Sequence, residues 1–303
     1  MSLLGRFFDY SKPGKGVDPD EPQKRPFFLY FELLWRKFSR FFFLNLCYSV
    51  VILPMAFAVY LIAWGALFDY LSLESVQNAN PEIAGGAMPS MIFMFALQFF
   101  SLPVPVWVGL LGLSVVLFGP VTCGLTYITR NWVRQEHADL SDLKDRAKSN
   151  FKQGLILGIL DIGIYLLLLR NVFVPIDTTH LGEFTAIILS VTQTLSVVGL
   201  ILYSFMRLYT YQMVITFDLK LLHILKNAWL FAIMGIFRNL LATAVMAVTL
   251  VLFFVLHPVV ELIFFFLFAF SYWAYSNNFI TYPIIKKFMI KDEEPIENPE
   301  QPE

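Results

Sequence analysis

The stretch from Leu117 to Leu140, LFGPVTCGLTYITRNWVRQEHADL, changes abruptly from apolar to basic. Its apolar part contains the pair Gly119-Pro120, and its charged part opens with Arg130 and Arg134. An apolar helix that ends in arginines is typical of a transmembrane segment leaving the bilayer on the cytoplasmic side. A Gly-Pro pair is tolerated inside such a helix when neighbouring helices satisfy the carbonyl that the proline frees. The stretch therefore predicts the inner end of a membrane-spanning helix.

The composition of the whole chain agrees with this prediction. The 303 residues are 57% hydrophobic and only 15% charged, whereas soluble domains average about 45–50% apolar and about 25% charged. The net charge of −1 gives no reason to expect a nucleic-acid partner. Cys47 and Cys123 both lie in apolar runs, so we expect buried thiols and neither a disulfide nor a metal site. Lipid is the solvent that this composition indicates.

The apolar runs are too long and too little alternating for barrel strands, so the predicted fold class is an all-α membrane helix bundle. Six crossings are predicted, over residues 41–68, 106–129, 153–172, 184–207, 239–257 and 262–285. The uncharged window from Met91 to Thr129 is too long for one crossing and is split at SLPVPVW, because prolines interrupt helices. The crossings form a single membrane domain over residues 26–288. A flexible N-terminal tail (1–25) and an acidic, disordered C-terminal tail (289–303) flank it.

The distribution of charge orients the predicted crossings. With a cytoplasmic N-terminus, the inner segments carry 21 of the 22 Lys and Arg residues and leave only Arg170 outside. The outer loops carry acidic residues instead: Asp69, Glu74, Glu82, Asp177, Glu183 and Glu261. Basic residues concentrate in the cytoplasmic loops of membrane proteins. We therefore expect a multi-pass plasma-membrane protein with both termini in the cytoplasm.

Each predicted inner segment ends in an amphipathic stretch before the chain re-enters the membrane. The three stretches are PFFLYFELLWRKFSRFF (26–42), SDLKDRAKSNFKQ (141–153) and DLKLLHILKNAWLFAIMGIFR (218–238). Each is either an interfacial helix on the cytoplasmic side or a helical extension of the next crossing. The second and third share an Asp-Leu-Lys start, which suggests one unit, a lead-in helix followed by a hairpin, used three times.

The sequence contains no HExxH, GxSxG, P-loop or GxGxxG motif, and its histidines are scattered, so we expect no enzymatic activity, metal or cofactor. Asp161 lies in the middle of the third crossing. It is a proton or cation relay or a substrate contact, or a packing residue that bonds a Ser, Thr or Asn on a neighbouring helix, or a carboxyl that burial keeps protonated. Arg207 is expected to be a snorkelling anchor. Gln193 is expected either to hydrogen-bond between helices or to contribute to transport.

Three stretches resemble the YesL family of bacterial integral membrane proteins. They are FGPVTCGLTYITRNWVRQEHADLSDLKDRAKSNFKQGLILGI, YQMVITFDLKLLHILKNAWLFAI and NNFITYPIIKKFMI. The residues at the family-like positions are Gly119, Pro120, Thr122, Gly124, Asn150, Lys152 and Gln153. The resemblance implies a protein of the bacterial cytoplasmic membrane, associated with carbohydrate uptake or sensing, and it supplies no catalytic residue. This chain departs from the family in the long segment between Pro54 and Gly119.

Three functions fit these observations. The first is an accessory or regulatory protein that binds another membrane protein, such as a transporter or sensor. The second is a small transporter or permease with Asp161 in its path, whose small-molecule substrate the sequence does not identify. The third is a lipid-interacting or membrane-shaping protein, which the amphipathic stretches favour. Membrane lipid is an expected partner in all three cases.

Overall fold

The computed structural model describes residues 24–71, 103–173, 182–256, 260 and 263–290. All regular secondary structure in these residues is helical. The helices are α1 (Pro26–Arg36), α2 (Phe38–Leu71), α3 (Val104–Val133), α4 (Ser141–Ser149), α5 (Phe151–Phe173), α6 (Glu183–Thr216), α7 (Leu221–Met234), α8 (Ile236–Leu256) and α9 (Phe270–Met289). A π-helical segment, Phe265–Ala269, leads into α9. The chain divides into two compact units, Met1–Lys37 and Phe38–Glu303.

The described part of the first unit is α1. Pro26 occupies the first turn, where the missing N–H of proline costs no helical hydrogen bond. Lys24 and Glu32 form an ion pair of 2.8 Å between Nζ and Oε2. The exposed face of the helix is aromatic and includes Phe27, Phe28 and Trp35. A helix therefore forms within the predicted stretch, while its role as an amphipathic helix at a membrane interface stays a prediction.

All three predicted lead-in stretches contain a short helix that is separate from the long helix after it. In each case a single residue separates the two helices: Lys37, Asn150 or Gly235. The break at Gly235 bends α8 from α7 by 88°. A side chain at Gly235 would collide with the phenol oxygen of Tyr209, so a residue without Cβ fits this bend. The third lead-in stretch is therefore not a simple extension of the helix after it, and for the other two stretches both alternatives stay predictions.

Four helical segments are long and apolar enough to cross a membrane: Phe38–Ala56, Pro105–Val133, Phe151–Val172 and Glu183–Thr216. They coincide with the first four predicted crossings. The predicted crossing at 239–257 falls on α8, which meets the same criterion only together with α7, as a bent pair. The segment predicted at 262–285 falls on the π segment and α9 and is not among the candidates. The structure supports four to five spans, and six crossings stay a prediction.

α6 extends further than the sequence predicted. The predicted crossing ended at residue 207, whereas α6 continues to Thr216. The prediction ended there because Arg207 was treated as a charge at the membrane surface. Its pairing inside the bundle, described below, explains how the helix continues past a charged residue.

The basic end of α3 is closed by hydrogen bonds typical of a Schellman motif. The amide of Glu136 donates to the carbonyl of Asn131 at 2.8 Å, and that of Gln135 donates to Trp132 at 3.2 Å. Gln135 has a φ of 60°, the left-handed conformation that this motif requires. The indole of Trp132 donates to the carbonyl of Ala138 and fixes the following turn. The helix therefore ends beside Arg134, close to where the sequence predicted.

α2 is joined to the π segment through one buried amide. A π-helical turn departs from the α-helical hydrogen-bond pattern. The side-chain amide of Asn45 donates to the carbonyls of Phe265 and Phe266 at 2.9 and 2.8 Å. Its oxygen accepts from the backbone amide of Ser271. Asn45, which is fully buried, therefore fixes the start of α9 against α2.

Candidate functional site

The candidate site is centred on Asp161, the acidic residue that the sequence placed in mid-membrane. Asp161 is ten residues from Phe151 at the start of α5, which is about 15 Å along the axis. That distance is half of a hydrocarbon core about 30 Å thick. The residue is only 3% exposed. A carboxylate at this depth requires polar partners, since burying an isolated charge is strongly unfavourable.

α6 provides all of the partners that the structure gives to the Asp161 carboxylate. Tyr203 donates its hydroxyl to Oδ1 at 2.6 Å, and Tyr211 donates its hydroxyl to Oδ2 at 2.7 Å. Between them, Arg207 donates from Nε to Oδ2 at 2.9 Å and forms an ion pair. The three partners are four residues apart, so they lie on one face of the helix. α6 therefore presents these three side chains together to the Asp161 carboxylate on α5. We refer to Tyr203, Arg207 and Tyr211 as the clamp.

Aromatic rings enclose the clamp. Tyr165 packs edge-on against the ring of Tyr203, with centroids 5.4 Å apart, and its hydroxyl bonds Ser204 at 3.2 Å. The Arg207 guanidinium carbon lies 5.4 Å from the Tyr211 ring centroid and 5.8 Å from that of Phe118. The Arg207 side chain is nevertheless 30% exposed. The carboxylate is thus sealed, whereas the Arg207 side chain is only partly buried.

This arrangement can neutralise charge and hold two helices together. The carboxylate and the guanidinium cancel, and both carboxylate oxygens are hydrogen-bonded. Removing one partner of a buried pair is destabilising by about 3–5 kcal/mol, because the other charge is left uncompensated. The sequence prediction for Arg207, a snorkelling anchor, did not anticipate this pair. Tyr203 and Tyr211 were also missed, although their four-residue spacing around Arg207 is visible in the sequence.

The family-like residues Gly119 and Pro120 lie where α3 touches α5. A Cβ on Gly119 would overlap the backbone carbonyl of Gly154, and one on Gly158 would lie 2.8 Å from the amide nitrogen of Gly119. Gly154 packs on Pro120 in the same way. Small residues let membrane helices approach to backbone contact. This contact brings α5, and with it Asp161, against α3.

Two further family-like residues on α3 contact other helices. The hydroxyl of Thr122 bonds that of Tyr48 on α2 at 2.9 Å. Gly124 lies against α4, where a Cβ would overlap the carbonyl of Leu143. Both positions therefore pack the bundle, and neither faces a vacant site.

The remaining family-like residues lie at the junction of α4 and α5. Asn150 interrupts the helices and donates its side-chain amide to the carbonyl of Arg146 at 3.0 Å. Gln153 donates to the carbonyl of Leu219 at 3.0 Å, which fixes the turn between α6 and α7. Lys152 is exposed. The family-like pattern thus describes helix packing and one junction.

Gln193 hydrogen-bonds between helices, one of the two roles that the sequence predicted. Its amide donates to the carbonyl of Val172 on α5 at 3.2 Å. Nearby, the amide of Asn171 donates to the hydroxyl of Ser196 at 3.3 Å. These bonds join the end of α5 to the first half of α6.

A second polar region, which the sequence analysis missed, lies between α3, α6 and α9. Asn278 donates its amide to the carbonyl of Thr126 and the hydroxyl of Thr129. Gln212 donates its amide to the hydroxyl of Thr281 at 2.7 Å. Asn278 and Gln212 are fully buried, and their side-chain oxygens have no hydrogen-bond partner among the described residues. We refer to these five residues as the polar layer. It joins three helices through neutral groups.

Within the described residues, no three His, Cys, Asp or Glu side chains are placed to hold a metal ion. The expectations that the protein is not an enzyme and needs no cofactor stay predictions.

In the residues that the structure describes, the fold is all helical, and four to five helices are long and apolar enough to cross a membrane. A family model described as "Protein of unknown function, DUF624" matches residues 91–172. The match includes the Gly119–Gly154 contact and Asp161, and it is consistent with the resemblance to an uncharacterised membrane family. No curated protein and no solved structure matches the chain.

Proposed function

We propose that this protein is an accessory membrane protein that binds a transporter or sensor, and that Asp161 holds its own bundle together. One observation carries the proposal: the Asp161 carboxylate is paired with Arg207 and accepts three hydrogen bonds. A carboxylate that relays protons must be protonated and deprotonated in each cycle. Protonation here would leave a guanidinium without its counter-charge in a low-dielectric medium.

One face of α6 supports a membrane helix as the partner. Ser190 and Thr194 are small and four residues apart, and they lie about 100° and about 140° around the helix from Arg207, which faces α5. Ser190 and Thr194 are exposed. Their hydroxyls donate to the carbonyls one turn earlier, at 2.9 Å in both cases, so no hydroxyl is left unsatisfied in lipid. Such a face permits close approach of a second helix.

The identity of the partner is the finer part of the proposal. The resemblance to the YesL family associates the chain with carbohydrate uptake or sensing. A carbohydrate transporter or a membrane-bound sensor of carbohydrate is therefore the proposed partner class.

A photo-crosslinking residue at position 194 in native membranes tests this function. Ile188 is the matched control, because it is 48% exposed on the same helix and lies about 120° away around the axis. We expect a discrete adduct with one polytopic transporter or sensor from position 194 and not from position 188. Diffuse adducts of equal yield from both positions would show that this face meets only lipid and random neighbours.

A second candidate function, a small permease, is favoured by the partial exposure of the Arg207 side chain. The hydrogen bonds that described residues make with this guanidinium all use Nε, and the side chain is 30% exposed. Its terminal N–H groups make none of these bonds and are the proposed contacts for a solute carboxylate, phosphate or hydroxyl. In this function Arg207, and not Asp161, is the solute contact.

Uptake into proteoliposomes containing only this protein separates the two candidates. An accessory protein gives no uptake by itself, and Asp161→Asn leaves that result unchanged. A permease transports solute alone and loses uptake in Arg207→Lys, which keeps the charge but lacks the planar fork of nitrogens. Recovery of Arg207→Lys as folded protein is the control.

A further inference from the structure

A second buried arginine, Arg130, lies at the basic end of α3. It is 5% exposed. Its Nη1 donates to the hydroxyl of Thr216 at 2.6 Å and to the carbonyl of Ile215 at 3.4 Å. Its Nε and Nη2 donate to the side-chain oxygen of Asn131 at 3.3 and 3.0 Å. Every one of these acceptors is neutral, in contrast to the carboxylate that pairs with Arg207.

The positive charge of Arg130 has no carboxylate of its own in the part of the chain that the structure describes. Glu136 is near enough to act on it electrostatically. That carboxylate, however, is bonded to Arg134, with 2.6 Å between Nη2 and Oε1. A buried guanidinium without a counter-ion is unfavourable by several kcal/mol. An external anion beside Arg130 would remove this cost.

A third arginine, Arg146, contacts the same aromatic ring as Arg130. The guanidinium carbon of Arg146, on α4, lies 4.1 Å from the ring centroid of Tyr127, and that of Arg130 lies 5.3 Å from the same centroid. The Nη2 of Arg146 donates to the Tyr127 hydroxyl at 2.9 Å. Arg146 is exposed, so it is accessible to a ligand while the ring holds its orientation.

The position of Arg130 at the end of a candidate span indicates the source of the anion. Arg130 and Thr216 lie in the last turns of two candidate spans, Pro105–Val133 and Glu183–Thr216. The end of a transmembrane helix is the level of the lipid headgroups. Basic pockets between helices at this level suit acidic headgroups.

We propose that Arg130, Arg146 and Tyr127 bind the phosphate of an anionic phospholipid headgroup. Arg146, which is exposed, supplies charge-assisted hydrogen bonds in the planar geometry that matches phosphate oxygens. Four of the five N–H groups of Arg130 already donate to protein acceptors, so Arg130 contributes mainly its uncompensated positive charge from a fixed position. This site is separate from Asp161 and does not depend on the proposed accessory function.

The test is thermal unfolding of the purified full-length protein in neutral detergent, titrated with phosphatidylglycerol, phosphatidylcholine or inorganic phosphate. The main variant is Arg146→Gln, because an exposed residue can be changed without disturbing the core. Lys148→Gln is the matched control: it removes the same charge from an exposed position on the same helix. Arg130→Lys, which keeps the buried charge, is the second variant.

We expect phosphatidylglycerol, and not phosphatidylcholine, to raise the unfolding temperature. Arg146→Gln should weaken this response roughly tenfold in lipid concentration, the effect of one charge-assisted hydrogen bond. Lys148→Gln should leave it unchanged, and Arg130→Lys should weaken it. Equal losses in Arg146→Gln and Lys148→Gln would mean diffuse attraction and would overturn the proposal. An equal response to inorganic phosphate would overturn the assignment to lipid.

Discussion

The two halves of α3 differ sharply in how they are packed. From Gly119 to Trp132 the helix is almost entirely buried, whereas from Pro105 to Leu113 it is mostly exposed. α6 repeats the contrast, with Tyr209–Val214 buried and Phe184–Leu195 mostly exposed. The first half of each helix is as apolar as the second or more so. Apolarity alone therefore does not decide which half of a membrane helix packs against protein.

The difference follows from the solvent. In lipid, burying an apolar side chain against protein brings little hydrophobic gain, so helices associate through close packing and polar bonds. The packed half of α3 contains Gly119, which touches α5, and Thr122, which bonds α2. In the exposed half, a Cβ added to Gly109 or Gly112 would have no atom of a neighbouring described residue within 4 Å. A glycine therefore allows close helix packing in the second half of α3 and has no such role in the first half.

The largest expected effect is that of Gly119→Ala compared with Gly112→Ala. The added methyl group at position 119 meets the backbone of Gly154, which cannot move like a side chain, so we expect a loss of about 3 kcal/mol or more. The same change at position 112 meets nothing and should be neutral or slightly stabilising. Thermal unfolding followed by circular dichroism measures both. Equal losses of stability in the two variants would mean that the two halves of α3 do not differ in packing.

Neutralising Asp161 is the next largest expected effect. Asp161→Asn leaves the partly buried Arg207 without its counter-charge. The expected loss of stability is about 2–3 kcal/mol, less than the about 3–5 kcal/mol of a fully buried pair, because solvent reaches part of the Arg207 side chain. Asp145→Asn, at an exposed position on α4, is the control and should change stability by less than about 0.5 kcal/mol. Chemical unfolding in mixed micelles compares the two. If Asp161→Asn lowered stability no more than Asp145→Asn does, the ion pair would not stabilise the fold.

The tyrosines of the clamp should have intermediate effects. Tyr203→Phe and Tyr211→Phe each delete one hydrogen bond to a charged group, and we expect each to lower stability by about 1.5–3 kcal/mol. Tyr165→Phe deletes only a longer bond to Ser204 and should have a smaller effect. The ranking of the three variants in one unfolding assay is the measurement. A larger loss for Tyr165→Phe than for the other two would contradict the clamp geometry.

The smallest expected effect is at Gln193, in the sparsely packed half of α6. Gln193→Leu removes a single bond to the carbonyl of Val172. Hydrogen bonds between membrane helices average about 0.6 kcal/mol, so the change in stability should be of that size. A loss as large as that of Asp161→Asn would show that this half is held as firmly as the other.

Much of the helical layout was accessible from the sequence. Long apolar runs located the first four spans, and the arginines after Thr129 located the end of α3. The lead-in stretches form separate helices because Asn150 and Gly235 interrupt them, and both are residues that disfavour helix interiors. These features depend on local composition, which a single sequence records.

The partners of Asp161 were not predicted, for a physical reason. The sequence suggested a Ser, Thr or Asn partner, and the structure provides Arg207 and two tyrosines. The four-residue spacing of the clamp is a local feature of α6. Its pairing with Asp161 depends on how far the antiparallel helices α5 and α6 are offset along their axes. That offset is set by contacts between residues far apart in the sequence, such as Gly119 with Gly154. The polar layer around Gln212 was missed for the same reason.

A double-mutant cycle between Asp161 and Arg207 tests the central claim most directly. The free energy of unfolding is measured for the wild type, Asp161→Leu, Arg207→Leu and the double variant. The account predicts that the double variant is more stable than the sum of the single losses implies, by about 2 kcal/mol or more. A coupling energy near zero would mean that the two charges do not stabilise each other, and it would contradict the account.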